Sequence, residues 1–278
     1  MEDASSRARK KEIRDRFVEE TLCAFPIIQS CPLSNELLST IKRSGLIITG
    51  GRGQGKSNLA KVIASQIIRS NPDMQVKITD STQSWSHGFE PIEFQYISED
   101  TLVGDIYFGE KNFLYDIELV GVDDILDTIT SICMSDFGLQ RLFKKEDLME
   151  DNWILYVIEE AQNVIGSYAL NGKSGKGFLK LISESRNFNM NLILITQRLS
   201  DVSTKAVERC STYAFSKMTG DNDLKKVQRI CGKESGVAET LPKLGVGEFI
   251  LWNGDHASKL NVPLYNPVTK PMLWNKKL

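Results

Sequence analysis

Short apolar runs recur through the middle of the chain, and most are followed by a stretch with the three-to-four-residue spacing of an amphipathic helix. LIIT (46–49) precedes a helical pattern over 56–69, QVKITD ends at Asp80, and FLYDIEL (113–119) precedes a helical stretch from about 122 to 146. WILYVI (153–158) ends in two acids and leads to a helix over roughly 175–188. NLILIT (191–196) leads to helix 201–209, the strand-like TYAFSKM, helix 221–231 and a closing GEFILWN. Uninterrupted apolar runs of this length are what strands buried on both faces look like. Their alternation with helices predicts an α/β core over 45–255, a mostly parallel sheet covered by helices on both faces. Ahead of it, residues 5–24 predict a charged amphipathic helix with Ile13, Phe17 and Leu22 on one stripe. Residues 34–43 predict another, with Ser34 able to cap its first turn. Residues 1–44 therefore form a helical extension in this reading, and 256–278 a C-terminal tail.

Composition narrows the class without naming a function. The 278 residues are 41% hydrophobic and 25% charged, as in ordinary globular proteins. No run approaches the ~18 apolar residues of a membrane span. MEDASSRARKKEIRDRFVEE is charged throughout and lacks the apolar centre of a secretory signal. Cys23, Cys31, Cys133, Cys210 and Cys231 are scattered and odd in number, so free thiols in a reducing, cytoplasmic compartment are expected. A net charge of −2 neither supports nor excludes a nucleic-acid partner. A monomer wrapping DNA is usually basic, whereas a ring touching it through a few elements need not be.

The chemistry starts at Gly50–Ser57, GGRGQGKS, which fits G-x-x-x-x-G-K-[ST] after a strand and before a helix. Gly50, Gly51, Gly53 and Gly55 let the backbone curl around a phosphate with Arg52 and Gln54 between them, N–H groups inward. Lys56 reaches the terminal phosphates of ATP, Ser57 offers its hydroxyl to Mg²⁺, and Asn58 continues the helix whose N-terminus attracts the anion. WILYVIEEAQN then supplies two acids at a strand end: Glu159 to hold Mg²⁺ through water and Glu160 to activate the attacking water. NLILITQR ends at Gln197. In P-loop proteins with the second glutamate such a strand is inserted between the phosphate-loop and acid strands, which puts Gln197 between Lys56 and Glu160 near the γ-phosphate. The alternative is a polar strand end facing solvent.

With these pieces in order, the sequence resembles the HerA–FtsK superfamily of P-loop DNA-pumping ATPases, closest to the HerA-like branch that includes viral genome-packaging ATPases. GGRGQGKS, YVIEEAQN, the run from ISESRNF to NDLKKV, and LGVGEFIL carry the likeness over roughly 45–252; 85–150 matches weakly. The resemblance implies a RecA-like core, a homo-hexameric ring, ATP held between subunits and double-stranded DNA in the channel. It implies that Arg186 reaches into a neighbour's nucleotide site; the alternative is a surface arginine paired with an acid such as Glu184. Asp80 matches a family acid near the site, and a strand-end aspartate capping the next turn explains it as well. About 45 residues precede the loop, too few for the N-terminal barrel of cellular HerA, and a compact motor is expected.

Lys173, Lys176 and Lys180 in NGKSGKGFLK read as a flexible basic loop touching DNA phosphates, or equally as a solvated surface. The basic run RARKKEIRDR suits DNA, a capsid portal or a neighbouring subunit. Three functions stay open. The first is a double-stranded DNA translocase packaging a viral genome, located in the host cytoplasm or with the virion. The second is a replication or conjugation ATPase that remodels or loads proteins on DNA, and the third a slow nucleotide-dependent switch or scaffold.

Overall fold

The computed structural model describes residues 27–28, 39–41, 44–70, 74–82, 84–85, 89, 93–98, 112–121, 124–147, 153–166 and 169–265. The helix expected over 5–24, the basic run within it, and most of the helix expected over 34–43 lie outside these residues, as do Cys23 and Cys31. The strands are β1 (Ile27–Ile28), β2 (Leu46–Thr49), β3 (Met74–Asp80), β4 (Glu93–Ser98) and β5 (Phe113–Leu119), followed by β6 (Trp153–Ile158), β7 (Met190–Thr196), β8 (Tyr213–Phe215), β9 (Glu248–Trp252) and β10 (Ala257–Asn261). The long helices are α1 (Lys56–Ser70), α2 (Ile125–Lys145), α3 (Lys173–Glu184) and α4 (Asp221–Cys231). All strands join one sheet in the order β1-β10-β9-β8-β2-β7-β6-β3-β5-β4. From β8 to β4 every pairing is parallel, whereas β9 runs antiparallel to both β8 and β10.

Side chains alternate across this sheet and feed two cores. Leu46, Ile48, Val76, Ile78, Leu155, Val157, Ile193 and Ile195 pack on the α1 side with Leu59, Ile63 and Ile67. Ile47, Tyr156, Ile158, Leu192 and Leu194 face the other side, against Ile129, Ile132 and Phe137 of α2, Phe178 and Leu181 of α3, and Val227 of α4. Central strands buried on both faces therefore read as continuous apolar runs, as the sequence pattern implied.

The structure departs from that pattern in places. β4, β1 and β10 were not expected. EFQYIS and ASKLN alternate polar with apolar residues, as peripheral strands do, and only Leu260 of β10 is fully buried. The sheet consequently runs past 255 to Asn261, into the expected tail. The helix expected over 201–209 is reduced to single turns at Leu199–Asp201 and Thr204–Val207. Val202 bridges Gly166, the Ser203 amide donates to the Ile165 carbonyl at 2.7 Å, and the Ser203 hydroxyl caps the second turn through Lys205. The segment expected as a basic loop is helical from Lys173 onward. Gly175, Phe178 and Leu181 are buried on its inner face, which ties the backbone down.

Cys133, Cys210 and Cys231 are free thiols. Burial pushes Cys210 and Cys231 up to about 12 and Cys133 well above its ordinary value, so all three stay protonated and unreactive. Among the described residues no helix is long and apolar enough to cross a membrane.

A charged pair lies inside the α2-side core. Lys77 of β3 reaches Asp136 of α2 at 2.5 Å, and the Tyr156 hydroxyl donates to the same oxygen at 2.5 Å. The two charged residues are 1% and 4% exposed. Asp136→Ala leaves a buried ammonium without its counter-charge and is expected to cost about 3–5 kcal/mol. Lys77→Met combined with Asp136→Leu should recover most of that in urea unfolding.

Candidate functional site

The parallel register brings three strand ends together. Thr49 at the end of β2 lies opposite Thr196 at the end of β7, and Ile158 at the end of β6 lies opposite Leu194. β7 thus sits between the phosphate-loop strand and the acid strand, where the sequence placed it. Residues 50–57, 159–160 and 197 converge at this end of the central strands.

The chain leaves β2 at Gly50 with φ 146° and turns through Gly53 (73°) and Gly55 (90°). A Cβ on Gly50 would lie 1.8 Å from the Ser216 hydroxyl, so the loop needs glycine there both for its backbone and for the close approach. The loop is pinned from two sides. Ser216 amide donates to Thr49 carbonyl and Gly51 amide to Lys217 carbonyl, each at 2.9 Å, while the Gly247 amide donates to the Gln54 carbonyl at 3.3 Å. Arg52 and Gly53 form the exposed tip. α1 begins at Lys56 with no acid in its first turn, so the positive end of its dipole is unopposed by its own side chains.

Lys56 is 8% exposed and donates to the Gly51 carbonyl at 2.8 Å. Burial pushes its ammonium below the ordinary lysine value, while Glu160 and Glu159 pull the other way. The Ser57 hydroxyl stands beside the carboxylate of Glu159, whose Oε1 accepts from the Trp85 indole at 2.8 Å. Burial raises the Glu159 carboxyl, and the Trp85 indole and Ser57 hydroxyl oppose it. Glu160 has left-handed backbone, φ 47°, a strained turn that swings the chain away immediately after the acid strand. Its Oε1 accepts from Gln197 at 2.7 Å and its Oε2 from the Gln162 amide, and Gln162 accepts from Thr196 at 2.9 Å. Two amides therefore fix the plane of this carboxylate beside Lys56.

Not every expected residue lies here. Asn58 is turned aside: its amide donates to the Pro263 carbonyl at 2.8 Å and accepts from the Tyr265 amide at 2.7 Å, so it holds the 263–265 segment. Asp80 caps the following turn, accepting from the amides of Thr82, Ser84 and Trp85. Arg186 sits exposed on the Ser185–Phe188 turn before β7, at the opposite end of the strands from Gln197. Seven strand residues separate the two, roughly 20 Å, so Arg186 does not reach the phosphate loop of its own chain. Lys173, Lys176 and Lys180 form an exposed stripe on α3. Trp85, Gln162, Ser216 and Gly247 were given no role from sequence; the spacing of Gln162 two residues after Glu160 was the one usable signal.

The donors near the loop suit a hard cation: a hydroxyl and a carboxylate, both oxygen. Among the described residues no cluster of three or more His, Cys, Asp or Glu is placed to hold a metal unaided. Mg²⁺ bound mainly by phosphates and water needs only one or two protein oxygens, so Ser57 and Glu159 fit it.

No family model matches the chain. It is 25% identical over 193 residues to the DNA polymerase III subunit gamma/tau of Mycoplasma genitalium, which covers 69% of this chain but only 26% of that protein. Among solved structures, the genome packaging NTPase B204 of Sulfolobus turreted icosahedral virus 2, in complex with ATP-gammaS, superposes with TM-score 0.58 at 16% identity. The match covers 81% of this chain and 98% of that one. VirB4 of Thermoanaerobacter pseudethanolicus superposes with TM-score 0.57 at 11% identity, over 79% and 89% of the chains. The pCW3 conjugation coupling protein TcpA gives 0.51 at 15%, over 81% and 62%. These likenesses, all below 25% identity, show the fold: a mostly parallel α/β sheet flanked by helices, shared with these proteins.

Gly50→Ala should lower both the thermal midpoint and the affinity for a nucleotide, because alanine at this φ costs about 1–3 kcal/mol beyond the collision. Adding Ser216→Gly opens the space without changing φ, so scanning fluorimetry and nucleotide titration should show partial recovery only. Complete recovery would mean that the contact alone demands glycine.

Proposed function

We propose that the chain is an ATP-hydrolysing motor that assembles as a ring, a homo-hexamer, and moves double-stranded DNA, most specifically in packaging a viral genome. The observation that carries this reading is the pairing of Glu160 with Gln197 across β6 and β7, beside a complete phosphate loop. A nucleotide-dependent switch needs the loop and the metal-side acid; a second, oriented carboxylate serves hydrolysis, which weighs against a slow scaffold.

In this mechanism the amides of residues 52–56 and the α1 N-terminus bind the phosphates, and Lys56 delivers its charge to the β and γ groups. Mg²⁺, held by Ser57 directly and by Glu159 through water, supplies further neutralisation of the phosphate oxygens. Glu160 accepts the proton of the attacking water, held in plane by Gln162 and Gln197. Gln197, exposed at its strand end, also has the reach to hydrogen-bond the γ-phosphate, so it links the occupancy of the site to the base. Arg186 stands at the far end of the sheet, which suits a group that acts on the neighbouring subunit's nucleotide.

The packaging reading draws support from the 98% coverage of the packaging NTPase, and the conjugation alternative from the likeness to TcpA. A replication role draws support from the match to a polymerase III subunit, which the chain spans over about a quarter of its length. A capsid portal is a further partner under the packaging reading, and the host cytoplasm or the virion its setting. The α3 lysines supply the DNA contact: at positions 173, 176 and 180 they lie along one exposed helix face, opposite buried Phe178 and Leu181. Charges at this spacing track a phosphate backbone without reading bases.

The reading is tested by subunit mixing. Glu160→Gln should bind ATP but lose most turnover, and Arg186→Ala should lose on the order of a thousandfold while binding normally. Mixed together, the two variants create interfaces in which both groups are intact, so activity should exceed the mean of the separate proteins and rise with concentration. A mixture as inactive as its parents, with subunit exchange demonstrated, would contradict the trans role.

Lys173→Ala with Lys176→Ala should weaken stimulation by duplex DNA and flatten the log–log salt dependence of DNA binding by about one unit per lost contact. An unchanged slope would reduce the stripe to a solvated surface.

A further inference from the structure

Glu159 sits at a strand end where its side chain has several ways to point, and something outside β6 fixes the choice. The amide of Glu159 donates to the Thr79 carbonyl at 3.2 Å, which places it beside the end of β3. There Asp80, fully buried, gathers the turn that follows. Its Oδ1 accepts from the Thr82 amide (3.1 Å), the Thr82 hydroxyl (3.2 Å) and the Ser84 amide (3.2 Å), and its Oδ2 accepts from the Trp85 amide (2.8 Å). The turn carries Trp85 back over the sheet edge, so that its indole N–H meets Glu159 Oε1 at 2.8 Å, with Trp85 1% and Glu159 4% exposed. Lys61 of α1 closes the turn from the other side, donating to the Ser84 carbonyl at 2.5 Å with its ammonium 5.7 Å from the Trp85 ring centroid. Phe89 packs edge-on against the same ring, centroids 4.8 Å apart.

We propose that Trp85 is a positioning residue for the metal-side carboxylate: its indole occupies one oxygen of Glu159 and holds the carboxylate toward the Ser57 hydroxyl. This rests on the reading of Glu159 given above. An indole is suited to the task because it donates one hydrogen bond and offers no lone pair, so it orients a carboxylate without competing for the cation. The ring plane is locked by Phe89 and Lys61, and the single polar atom of the side chain is committed to the one acid that Ser57 also touches. Asp80, which hydrogen-bonds only the turn, then acts through Trp85 and not on the nucleotide.

Trp85→Phe keeps most of the ring packing and removes the donor. The full-length protein is titrated with a fluorescent ATP analogue, first in EDTA and then with increasing Mg²⁺. In EDTA the variant should bind the analogue as the wild type does. The Mg²⁺ concentration giving half of the metal-dependent affinity gain should rise about tenfold, the size of one lost hydrogen bond to a charged group. In a Glu159→Gln background the same substitution should add nothing further, because the carboxylate it orients is already gone. Asp80→Asn, which slackens the turn while leaving the indole in place, should shift the Mg²⁺ dependence in the same direction by less, and this serves should Trp85→Phe fold poorly. A variant set that loses thermal stability with Mg²⁺ dependence unchanged, while Glu159→Gln shifts it, overturns the role of Trp85 alone. Glu159→Gln without effect overturns the reading of Glu159 and the positioning role with it. An effect of Trp85→Phe that persists undiminished in the Glu159→Gln background shows that Trp85 acts by another route.

Discussion

Backbone hydrogen bonding among β2, β7 and β6 fixes the distance on which the site depends. Adjacent strands lie about 4.8 Å apart, so inserting β7 between the other two sets the phosphate loop and the acid pair roughly 10 Å from each other. That gap is the width of a terminal phosphate with an attacking water behind it. The register is enforced by the alternation of Ile47 and Leu194 into one core with Ile48 and Ile193 into the other. A one-residue slip of β7 would exchange its two faces and carry Thr196 and Gln197 away from Glu160.

The buried charged groups nearest the phosphate loop are each matched. Asp80 is satisfied by its own turn, Glu159 by Trp85, Lys56 by the Gly51 carbonyl. The same rule governs Lys77, Asp136 and Tyr156 on the α2 side, far from the phosphate loop, where the pairing ties helix to sheet. Near the loop the buried charge surrounds the candidate site, and under α2 it fixes packing.

Much of this was legible in the residues themselves. Runs such as WILYVI and NLILIT announce central strands because burial on both faces leaves no place for polar side chains, and GGRGQGKS is bound to its context by the φ values that only glycine adopts readily. The convergence of Glu160 and Gln197 followed from their places at strand ends together with the strand order of P-loop proteins that carry the second glutamate. What escaped was whatever depends on contacts between distant segments. Nothing in a polar stretch around Trp85 signals that its indole meets an acid 74 residues later. Asn58 looked like part of the phosphate loop, yet a segment more than 200 residues away claims its amide. β10 and β4 lie at or near the sheet's margins, where alternating residues resemble loop composition, and glycines 172, 175 and 177 suggested flexibility although buried neighbours hold most of that stretch in a helix.

The central claim is that one subunit supplies Lys56, Glu159 and Glu160 while its neighbour supplies Arg186, around a channel lined by α3. Electron microscopy of the protein with a non-hydrolysable ATP analogue and duplex DNA tests it directly. The account predicts a closed ring in which the Arg186 guanidinium of each subunit lies within hydrogen-bonding distance of the γ-phosphate bound next door, with Lys173, Lys176 and Lys180 facing the duplex. Nucleotide-loaded monomers, or a ring whose Arg186 side chains point away from every phosphate, would contradict it.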